Sequence, residues 1–579
     1  MCGIVGYIGR RKAAPILIEG LKKLEYRGYD SFGIATQADT IEICKYEGKI
    51  SENSGSALGL AGTTGIGHTR WATHGVPNDI NAHPHTDCTN RIAIVHNGII
   101  ENYADLRRQL ISRGHTFRSE TDTEVIAHMI EEKYQGDLLS AVCKTVPQLK
   151  GSFAILAISG KEKRIIAARY ASPLVLGIGD KEFFAASDMT PVLEHTERAI
   201  FLEDGDIADL SDKKVTVYQG NEPVERPIEL IDWSVEDTKK GGFPHYMLKE
   251  IYEQPQAFYN SVRACTRESL PAIIRKPSSV TLVACGSSYH AGLIFKYLLE
   301  ESCGIPARME FSSEFKYFPP PVNGLVIGIT QSGETADTIS AIKQAKAHNC
   351  QTLAITNVLG SSIGRIADAT VFMRAGPEIS VAATKSFTAQ LAVLMQLINC
   401  LCDGRTGDIL LHGHRAIEDV LLKDLTAAVK LCSKATSIFY VGRGPFYPVS
   451  LEGALKMKEI SYIHAEGYAA GELKHGPFAL LTPETPVIAI CMPDETYGVM
   501  ISNIKEMMAR GAPVIALGLE GDRELTDIVD IFIPLPKTHK FLQVLTSLVV
   551  LQLLSYHTAV ALGRDVDKPR NLAKSVTVE

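Results

Sequence analysis

Over roughly the first 235 residues, apolar and polar positions alternate in short runs separated by turn residues. Strand-like apolar runs occupy residues 91–95, 153–158 and 164–168, and a further strand is predicted at 65–69. The stretch from residue 41 to that strand is poor in aromatic residues and rich in Ser, Asn and Gly, which indicates a loop or a weak helix. A few helical patterns complete an α+β domain.

The pattern changes after residue 235. Charge clusters and the pair Gly241-Gly242 interrupt it, and a helical sequence begins at His245, so we place a linker at 236–250. Beyond it, an apolar strand running into a glycine-containing turn occurs twice, at 280–288 and at 437–445. Further strands at 325–330 and 487–492 each precede a helix, which predicts two doubly wound α/β lobes. The expected domains are 2–235, 251–415 and 416–569, with a C-terminal tail at 570–579.

Two charge-free stretches, 386–402 and 541–563, fall late in the two lobes, and the second is long enough to span a membrane. Gln543, Gln552 and His557 are among the polar residues that interrupt the second stretch, and such groups are costly in lipid. We therefore predict two buried core helices and no membrane partner.

The composition narrows the function classes. The chain has 579 residues, a net charge of -7 and 45% hydrophobic residues, without a basic block that would bind nucleic acid. Its 12 cysteines are scattered, with neither a CxxC zinc pattern nor a dense disulfide framework. With no secretory signal at the start, these features indicate a reducing, cytoplasmic compartment. His83 and His85 lack further spaced ligands, so we predict no metal site.

Cys2 is the first candidate for chemistry. If Met1 is removed, Cys2 carries a thiol and a free α-amino group, and an amine with a pKa near 7.7 to 8.0 can accept the thiol proton at neutral pH. A cysteine at this position can equally be an ordinary second residue. Later motifs favour the nucleophile, and they read Thr69-Arg70-Trp71-Ala72-Thr73-His74-Gly75, His96-Asn97-Gly98 and Ser119-Glu120-Thr121-Asp122.

In that order these motifs resemble those of amidotransferases with an N-terminal cysteine nucleophile, which have the N-terminal-nucleophile glutaminase fold. The resemblance implies that Arg70 binds the substrate carboxylate and Asp122 its ammonium group, while Asn97 and Gly98 form an oxyanion hole. Trp71 resembles the family's gate on the ammonia path, although a packed core Trp is the alternative. The implied glutamine-binding residues are Arg70, Trp71, Thr73, His74, Asn97, Gly98 and Asp122.

Two patterns in the second half of the chain carry further chemistry. The segment 330–338 is rich in hydroxyls where a strand ends and a helix begins, which is typical of either a phosphate site or a simple helix cap. Glu452, Lys456 and Glu459 share one helix face, as either a solvated salt-bridge stripe or part of a site.

These patterns, the segment ending at His475 and the C-terminal Lys574 make nearly the whole chain similar to the glutamine:fructose-6-phosphate aminotransferase (isomerizing) family, the glucosamine-6-phosphate synthases. In that family a glutaminase domain is followed by two sugar isomerase (SIS) lobes. The resemblance implies a Schiff base on Lys574, proton transfer between C1 and C2 by Glu459, and ring opening assisted by His475 of the same or a neighbouring subunit. Lys456 and Glu452 would tune and orient these groups. The implied sugar-phosphate site contains Cys285, Gly286, Ser287, Ser288, Thr330, Gln331, Ser332, Thr335, Val381 and Ala573.

The expected reaction transfers the amide nitrogen of glutamine to fructose 6-phosphate and gives glucosamine 6-phosphate and glutamate, the first step of hexosamine synthesis. We expect no metal or organic cofactor. We expect the protein to form a homodimer. One alternative is a sugar-phosphate-sensing regulator, against which the absence of a helix-turn-helix pattern argues. Another is an amidotransferase for a phosphoribosyl or aspartyl acceptor, against which the repeated lobes and Lys574 argue.

Overall fold

The computed structural model describes residues 2–72, 74–231, 239–265, 277–315, 317, 324–402 and 406–576, with the backbone alone at 26 and 51–53. The described residues form two compact units, one before Lys239 and one from Lys239 to Lys574.

The first unit contains two antiparallel sheets. Its strands are β1 (Gly3–Ile8), β2 (Ser31–Gln37), β3 (Ile41–Glu47), β4 (Thr64–Arg70), β5 (His85–Thr86), β6 (Ile92–Ile100), β7 (Gly151–Ser159), β8 (Glu162–Tyr170), β9 (Val175–Ile178), β10 (Phe183–Ala186), β11 (Arg198–Phe201), β12 (Asp206–Ser211), β13 (Val215–Gln219), β14 (Glu222–Val224) and β15 (Glu229–Leu230). One sheet has the order β15-β11-β9-β10-β1-β4-β2-β3 and the other β14-β13-β12-β8-β7-β6-β5.

The apolar core of this unit lies between the two sheets. Ile4 and Ile66 of the first sheet pack in one buried cluster with Val95 and Leu156 of the second. The helices of the unit are α1 (Ala13–Leu24), α2 (Ile50–Ala57), α3 (Tyr103–Ser112), α4 (Glu124–Lys133) and α5 (Leu138–Thr145), with 3-10 turns at Glu25–Arg27 and Val146–Gln148. Helix α1 contacts β1 and β4, while α4 and α5 contribute to a second cluster on the outer face of the other sheet. The result is an α+β arrangement of helix, sheet, sheet and helix layers.

One sequence expectation in this unit is wrong. Residues 41–47 form strand β3, paired antiparallel with β2 along its length, rather than a loop or weak helix. Ile41 and Ile43 alternate with polar or partly exposed neighbours along this strand. The two isoleucines pack against the inter-sheet core, and the edge position of the strand tolerates the polar residues between them. The helix that follows, α2, contains the Ser- and Gly-rich segment.

The second unit contains two parallel sheets of the same topology. Their strands are β16 (Val280–Ala284), β17 (Ala307–Phe311), β18 (Leu325–Ile329), β19 (Gln351–Thr356) and β20 (Ala369–Phe372), then β21 (Ser437–Gly442), β22 (His464–Ala469), β23 (Val487–Ile490), β24 (Val514–Leu519) and β25 (Ile531–Leu535). The orders are β17-β16-β18-β19-β20 and β22-β21-β23-β24-β25. These equivalent orders confirm two doubly wound α/β lobes.

The lobes share one continuous apolar core. Their helices are α6 (Tyr246–Tyr252), α7 (Gln254–Ala264), α8 (Gly286–Cys303), α9 (Ser312–Phe315), α10 (Ala336–Ala347), α11 (Ser362–Ile366), α12 (Lys385–Leu401), α13 (Gly407–Leu411), α14 (Gly413–Leu421), α15 (Thr426–Cys432), α16 (Phe446–Ser461), α17 (Tyr497–Met508), α18 (Arg523–Ile528) and α19 (Lys540–Ala561), with 3-10 turns at Ala470–His475 and Pro477–Leu480. Leu282 of the first lobe and Ile488 of the second belong to the same buried cluster, together with apolar residues of α12, α16 and α19.

Helix α19 is the described helix that length and hydropathy alone would allow to cross a membrane. Its most apolar window is 83% buried within the protein, as expected for a core helix. Near the other charge-free helix, a disulfide joins Cys303 at the end of α8 to Cys402 just after α12, across a sequence separation of 99 residues. The spacing of the cysteines did not predict this pairing.

Candidate active sites

The thiol of Cys2 lies just before β1 and next to the end of β4. The Trp71 backbone N–H donates to Cys2 Sγ at 3.3 Å, and the Asn97 side-chain amide donates to the Cys2 carbonyl at 2.9 Å. Burial raises the pKa of this thiol, an effect that the Trp71 N–H and the Arg70 charge oppose. The structure thus brings Cys2, Arg70, Trp71 and Asn97 together.

Arg70 occupies the last position of β4, where it is buried. Its guanidinium donates to the backbone carbonyls of His74 and Gly75, the latter at 2.9 Å. These bonds hold the loop that follows β4 around the cation, and burial lowers the pKa of Arg70. The Trp71 ring packs edge-on against Tyr29 with centroids 5.9 Å apart. Thr73 lies outside the described residues.

Asn97, Gly98 and Asp122 meet at the middle of β6. Gly98 has φ +129°, and a Cβ there would lie 2.0 Å from the Ser152 carbonyl oxygen, so only glycine fits. Asp122 is buried and accepts the Ile100 backbone N–H at 2.8 Å. The charge of Asp122 also raises the pKa of Cys2, which indicates that the two side chains are close.

Buried histidines contact the threonines on either side of Asp122. His83 Nε2 and His96 Nδ1 each lie about 3.0 Å from the Thr123 hydroxyl, at 3.0 and 2.9 Å. His85 Nε2 lies 3.1 Å from the Thr121 hydroxyl. Burial lowers the pKa of His85 to about 3 and that of His83 well below its usual value, so both rings are neutral. The threonines on either side of Asp122 are therefore fixed by uncharged imidazoles.

In the second unit, the start of α8 carries the first group of predicted sugar-phosphate residues. Gly286 has φ +56° and opens the helix immediately after β16 and Cys285. Ser287 Oγ donates to Glu452 Oε1 at 2.9 Å, and Ser288 Oγ accepts from the Gln390 side chain at 2.8 Å. The serines are thus held from α16 and α12 respectively.

The second group lies in the turn between β18 and α10. The Thr330 and Thr335 hydroxyls are 2.8 Å apart, and the Glu334 N–H donates to Ser332 Oγ at 3.2 Å. Thr335 precedes the first residue of α10 but makes no side-chain cap bond to it. The Gln331 carbonyl accepts the Asn357 N–H at 3.1 Å, which ties the turn to the end of β19. Because the carboxyl ends of parallel strands meet at one sheet edge, this turn and the start of α8 face the same crevice.

Helix α16 places three predicted residues in one ion-pair network. Lys456 Nζ lies 2.5 Å from Glu459 Oε2 and 3.6 Å from Glu452 Oε1. The side chains of Glu452 and Lys456 are 1% exposed, which excludes a solvated salt-bridge stripe. Glu452 also accepts from His290 at 2.7 Å. Burial opposes the charge of Lys456, but Glu459 and Glu452 raise its pKa and keep it a cation.

Lys574 reaches this region from the C-terminal end. Its amine donates to Glu378, a buried carboxylate that also accepts N–H groups from Thr384 at 2.9 Å and Ser386 at 3.0 Å. Burial disfavours the Glu378 charge, but Lys574 and these donors lower its pKa to about 2. The charge of Glu378 also raises the pKa of Lys456. The carboxylate thus contacts Lys574 and influences Lys456 electrostatically.

A second buried carboxylate lies beside this pair. Glu250 accepts the backbone N–H groups of Ile379 at 2.5 Å and Ser380 at 3.0 Å. Burial, and then the Glu378 charge, raise its pKa to about 7. The sequence patterns did not predict a role for Glu250, Glu378, His290 or Gln390. Of these, Glu378 could have been noticed because it lies three residues before Val381.

Three predicted residues have different surroundings. The Val381 N–H donates to the Asp567 carbonyl at 3.0 Å, so it holds the C-terminal segment in place. Ala573 is partly buried next to Lys574. His475 is exposed at the end of the 3-10 turn Ala470–His475, and its ring has no hydrogen-bond or ion-pair partner among the described residues.

Comparisons with known proteins agree with this arrangement. Residues 68–194 match the family model of the glutamine amidotransferase domain, and residues 273–400 and 431–562 match that of the SIS domain. The chain is thus an amidotransferase joined to two SIS domains. It is 46% identical over 592 residues to glutamine–fructose-6-phosphate aminotransferase (isomerizing) of Aquifex aeolicus, and 47% over 610 residues to that of Thermococcus kodakarensis, with 100% of both chains covered each time. The chain belongs to the glutamine–fructose-6-phosphate aminotransferase (isomerizing) family.

A solved structure covers the second unit. The C-terminal domain of glucosamine-fructose-6-phosphate aminotransferase from Francisella tularensis matches with 36% identity and a TM-score of 0.53, over 57% of this chain and 100% of that one. This similarity agrees with the two parallel-sheet lobes described above.

Proposed function

We propose that this chain transfers the amide nitrogen of glutamine to fructose 6-phosphate and isomerises the product to glucosamine 6-phosphate, releasing glutamate. The observation that carries the proposal is similarity along the whole chain, since relatives named for this activity match 100% of its length. The product is an amino sugar phosphate, and making it is the first step of hexosamine synthesis.

The glutaminase half of the proposal starts at Cys2. After removal of Met1, the α-amino group takes the thiol proton and the sulfur attacks the glutamine amide carbon. Asn97 and the Gly98 N–H are placed to stabilise the oxyanion, with Arg70 and Asp122 binding the two charged ends of the amino acid. Collapse of the intermediate releases ammonia, and water then hydrolyses the thioester to glutamate. The Trp71 N–H at 3.3 Å supports the thiolate.

The synthase half starts at Lys574. Its amine attacks C2 of the open-chain ketose and water leaves, which gives an imine. The buried Glu378 accepts a hydrogen bond from this amine and holds it in place. Ammonia then displaces the lysine and leaves an imine of the sugar.

Isomerisation follows on that imine. Glu459 removes a proton from C1 and returns one to C2, while the imine nitrogen gains a proton and the hydroxyl on C1 loses one, so that C1 becomes an aldehyde and C2 carries the amine. Glu459 suits this step because its side chain is 20% exposed while its partner Lys456 is 1% exposed. Lys456 and Glu452 orient it, and Glu452 also fixes Ser287.

The sugar-phosphate contacts follow from the same crevice. The hydroxyls of Ser288, Ser332 and Thr335 and the Gln331 side chain provide phosphate donors, next to the start of two helices. Thr335 makes no cap bond to α10, and its hydroxyl instead lies 2.8 Å from that of Thr330. Cys285, Gly286, Thr330, Val381 and Ala573 would shape the pocket.

Trp71 would gate the ammonia path, and Thr73 and His74 would complete the glutamine pocket. The domain boundaries stay at 2–235, 251–415, 416–569 and 570–579. We expect a cytoplasmic protein that binds neither membrane nor nucleic acid. We also expect a homodimer, because the exposed His475 can assist ring opening only if it reaches a sugar, and that sugar could be bound by a second subunit.

The test measures glucosamine 6-phosphate and glutamate from wild type, Cys2→Ala and Lys574→Ala, with glutamine or ammonia as the nitrogen donor. Wild type should make the amino sugar from glutamine. Cys2→Ala should fail with glutamine, and Lys574→Ala should fail with either donor yet still release glutamate. If wild type releases glutamate without an amino sugar, the acceptor is wrong.

A further inference from the structure

Four potential metal ligands converge in the first unit, in a cluster distinct from the glutamine site. Cys88, His115, His128 and Glu131 each offer one ligand atom, and these atoms all lie within 4.8 Å of one another. Cys88 and the two histidines are 27 and 40 residues apart in sequence, which matches no zinc motif and explains why the sequence predicted no metal. The fold brings them together from three segments.

Four of the six distances between these ligand atoms fit a tetrahedral ion. Cys88 Sγ lies 3.6 Å from His115 Nδ1 and 3.5 Å from His128 Nδ1. Glu131 Oε2 lies 3.0 Å from His115 Nδ1 and 3.2 Å from His128 Nδ1. With Zn–S near 2.3 Å and Zn–N or Zn–O near 2.0–2.1 Å, a tetrahedron has S···N edges of about 3.5 Å and N···O edges of about 3.3 Å.

The second nitrogen of each histidine faces another carboxylate. His128 Nε2 lies 3.6 Å from Glu124 Oε1, and His115 Nε2 lies 3.5 Å from Glu132 Oε1. Carboxylates in this position orient metal-binding imidazoles, with one nitrogen toward the ion and the other toward the acid. The cluster therefore contains the supporting groups of a metal site as well as its ligands.

We propose that Cys88, His115, His128 and Glu131 bind one structural Zn²⁺ ion through Sγ, two Nδ1 atoms and a carboxylate oxygen. One thiolate and one carboxylate neutralise the two positive charges, and a set of thiolate, imidazole and carboxylate favours zinc over magnesium or calcium. Four protein ligands leave no position for a substrate, so the site is structural. Binding releases the thiol proton.

The ion would fasten three segments of the unit. Cys88 follows β5, His115 follows α3, and His128 and Glu131 lie one turn apart on α4. The segment between His115 and α4 contains Asp122. A surface cavity of about 320 Å³ is lined in part by Glu131 and Asp87.

The experiment uses the full chain stripped of metal and titrated with ZnCl₂ against a chromophoric chelator, with metal content measured by mass spectrometry. Wild type should take one tight equivalent, and Zn²⁺ should raise its unfolding temperature. Co²⁺ in place of Zn²⁺ should give a thiolate charge-transfer band and the visible bands of a tetrahedral ion. Absence of a tight equivalent, or preference for a metal other than zinc, would overturn the proposal.

Variants locate the ion. Cys88→Ser should remove the charge-transfer band and weaken zinc binding more than about 100-fold, while Glu124→Gln should weaken it roughly 10- to 100-fold through His128. Cys143→Ser is the matched control, because Cys143 is a partly buried cysteine of the same unit outside the cluster, and it should bind zinc as wild type does. Retention of tight zinc by Cys88→Ser would refute the site, and the Co²⁺ spectrum of wild type decides the matter even if a variant does not fold.

Discussion

At the scale of single residues, two buried carboxylates of opposite behaviour lie beside Lys574. Glu378 is ionised because a lysine and three donors surround it, whereas burial and the charge of Glu378 push Glu250 toward its neutral form. The same burial thus produces opposite pKa shifts, and the difference comes from which carboxylate has the cation.

Glu378→Gln should remove the carboxylate that holds the Lys574 amine in position. We expect amino-sugar formation to fall on the order of 100-fold, as misplacement of a reacting group does, while glutamate release from glutamine is unchanged. Glu253→Gln is the control, since Glu253 pairs with Lys385 at 2.6 Å and is 33% exposed. Separate assays of the two half-reactions make the comparison, and equal losses in both variants would contradict the role of Glu378.

Glu250→Gln should change how stability depends on pH. A carboxyl whose pKa is about 7 when folded and near 4.3 when unfolded binds more protons in the folded state between those values. Stability is therefore lost as pH rises through that window, by roughly 2–3 kcal/mol, and the variant lacks this loss. Glu378, with its pKa near 2, loses its contribution only as pH falls below the window.

Denaturant unfolding at pH 5 and pH 8 measures the effect. The wild-type midpoint should fall relative to that of Glu250→Gln, while Glu253→Gln should follow wild type. Parallel pH profiles for wild type and Glu250→Gln would show that Glu250 does not carry the dependence.

The residue roles illustrate what sequence can predict. Glu452, Lys456 and Glu459 were placed together because helix periodicity fixes their common face. Glu378 was missed because its partner Lys574 is 196 residues away in sequence, and a pairing over that distance leaves no local pattern. His115 and Cys88 escaped notice for the same reason.

At the scale of elements, helices α8 and α12 are joined to each other near the proposed sugar-phosphate crevice and again at their far ends. Helices α8 and α12 meet through Ser288 and Gln390 near the crevice, and through Cys303 and Cys402 at the opposite end. Strand and helix order was predictable for both lobes from alternating patterns. The edge strand β3 was not, because a single isoleucine pair is a weak signal.

The Cys303–Cys402 link should stabilise the second unit if it forms. Closing a loop of 99 residues stabilises by about 4.7 kcal/mol in the chain-entropy account. Under oxidising conditions Cys303→Ser should therefore unfold at lower denaturant than wild type, and added reductant should bring wild type down to the variant. Free-thiol counts identify the state of the bond, and Cys143→Ser should show no such difference. A variant with unchanged stability in both conditions would contradict the expectation.

At the scale of the whole molecule, the two lobes have the same topology but contribute different residues to the proposed site. Lobe 1 supplies the hydroxyl-rich turn, lobe 2 supplies the α16 network, and the C-terminal segment supplies Lys574. The internal repeat predicted this architecture, whereas the exposed position of His475 in the second lobe was not predictable from it.

Subunit mixing tests where His475 acts. His475→Ala and Lys574→Ala should each be inactive in amino-sugar formation, and mixed subunits should recover up to about a quarter to a half of wild-type activity if His475 serves the neighbouring site. The measurement is product formation after co-expression with different tags and purification of the mixed species. A mixture as inactive as its parents would place both residues in one subunit's site.

The two residues proposed to react, Cys2 and Lys574, are 572 positions apart in the sequence. If they have the proposed roles, loss of the segment that carries Lys574 leaves the glutamine half of the reaction in place and removes the group that holds the sugar. Hydrolysis of glutamine by such a protein would then release its ammonia unused.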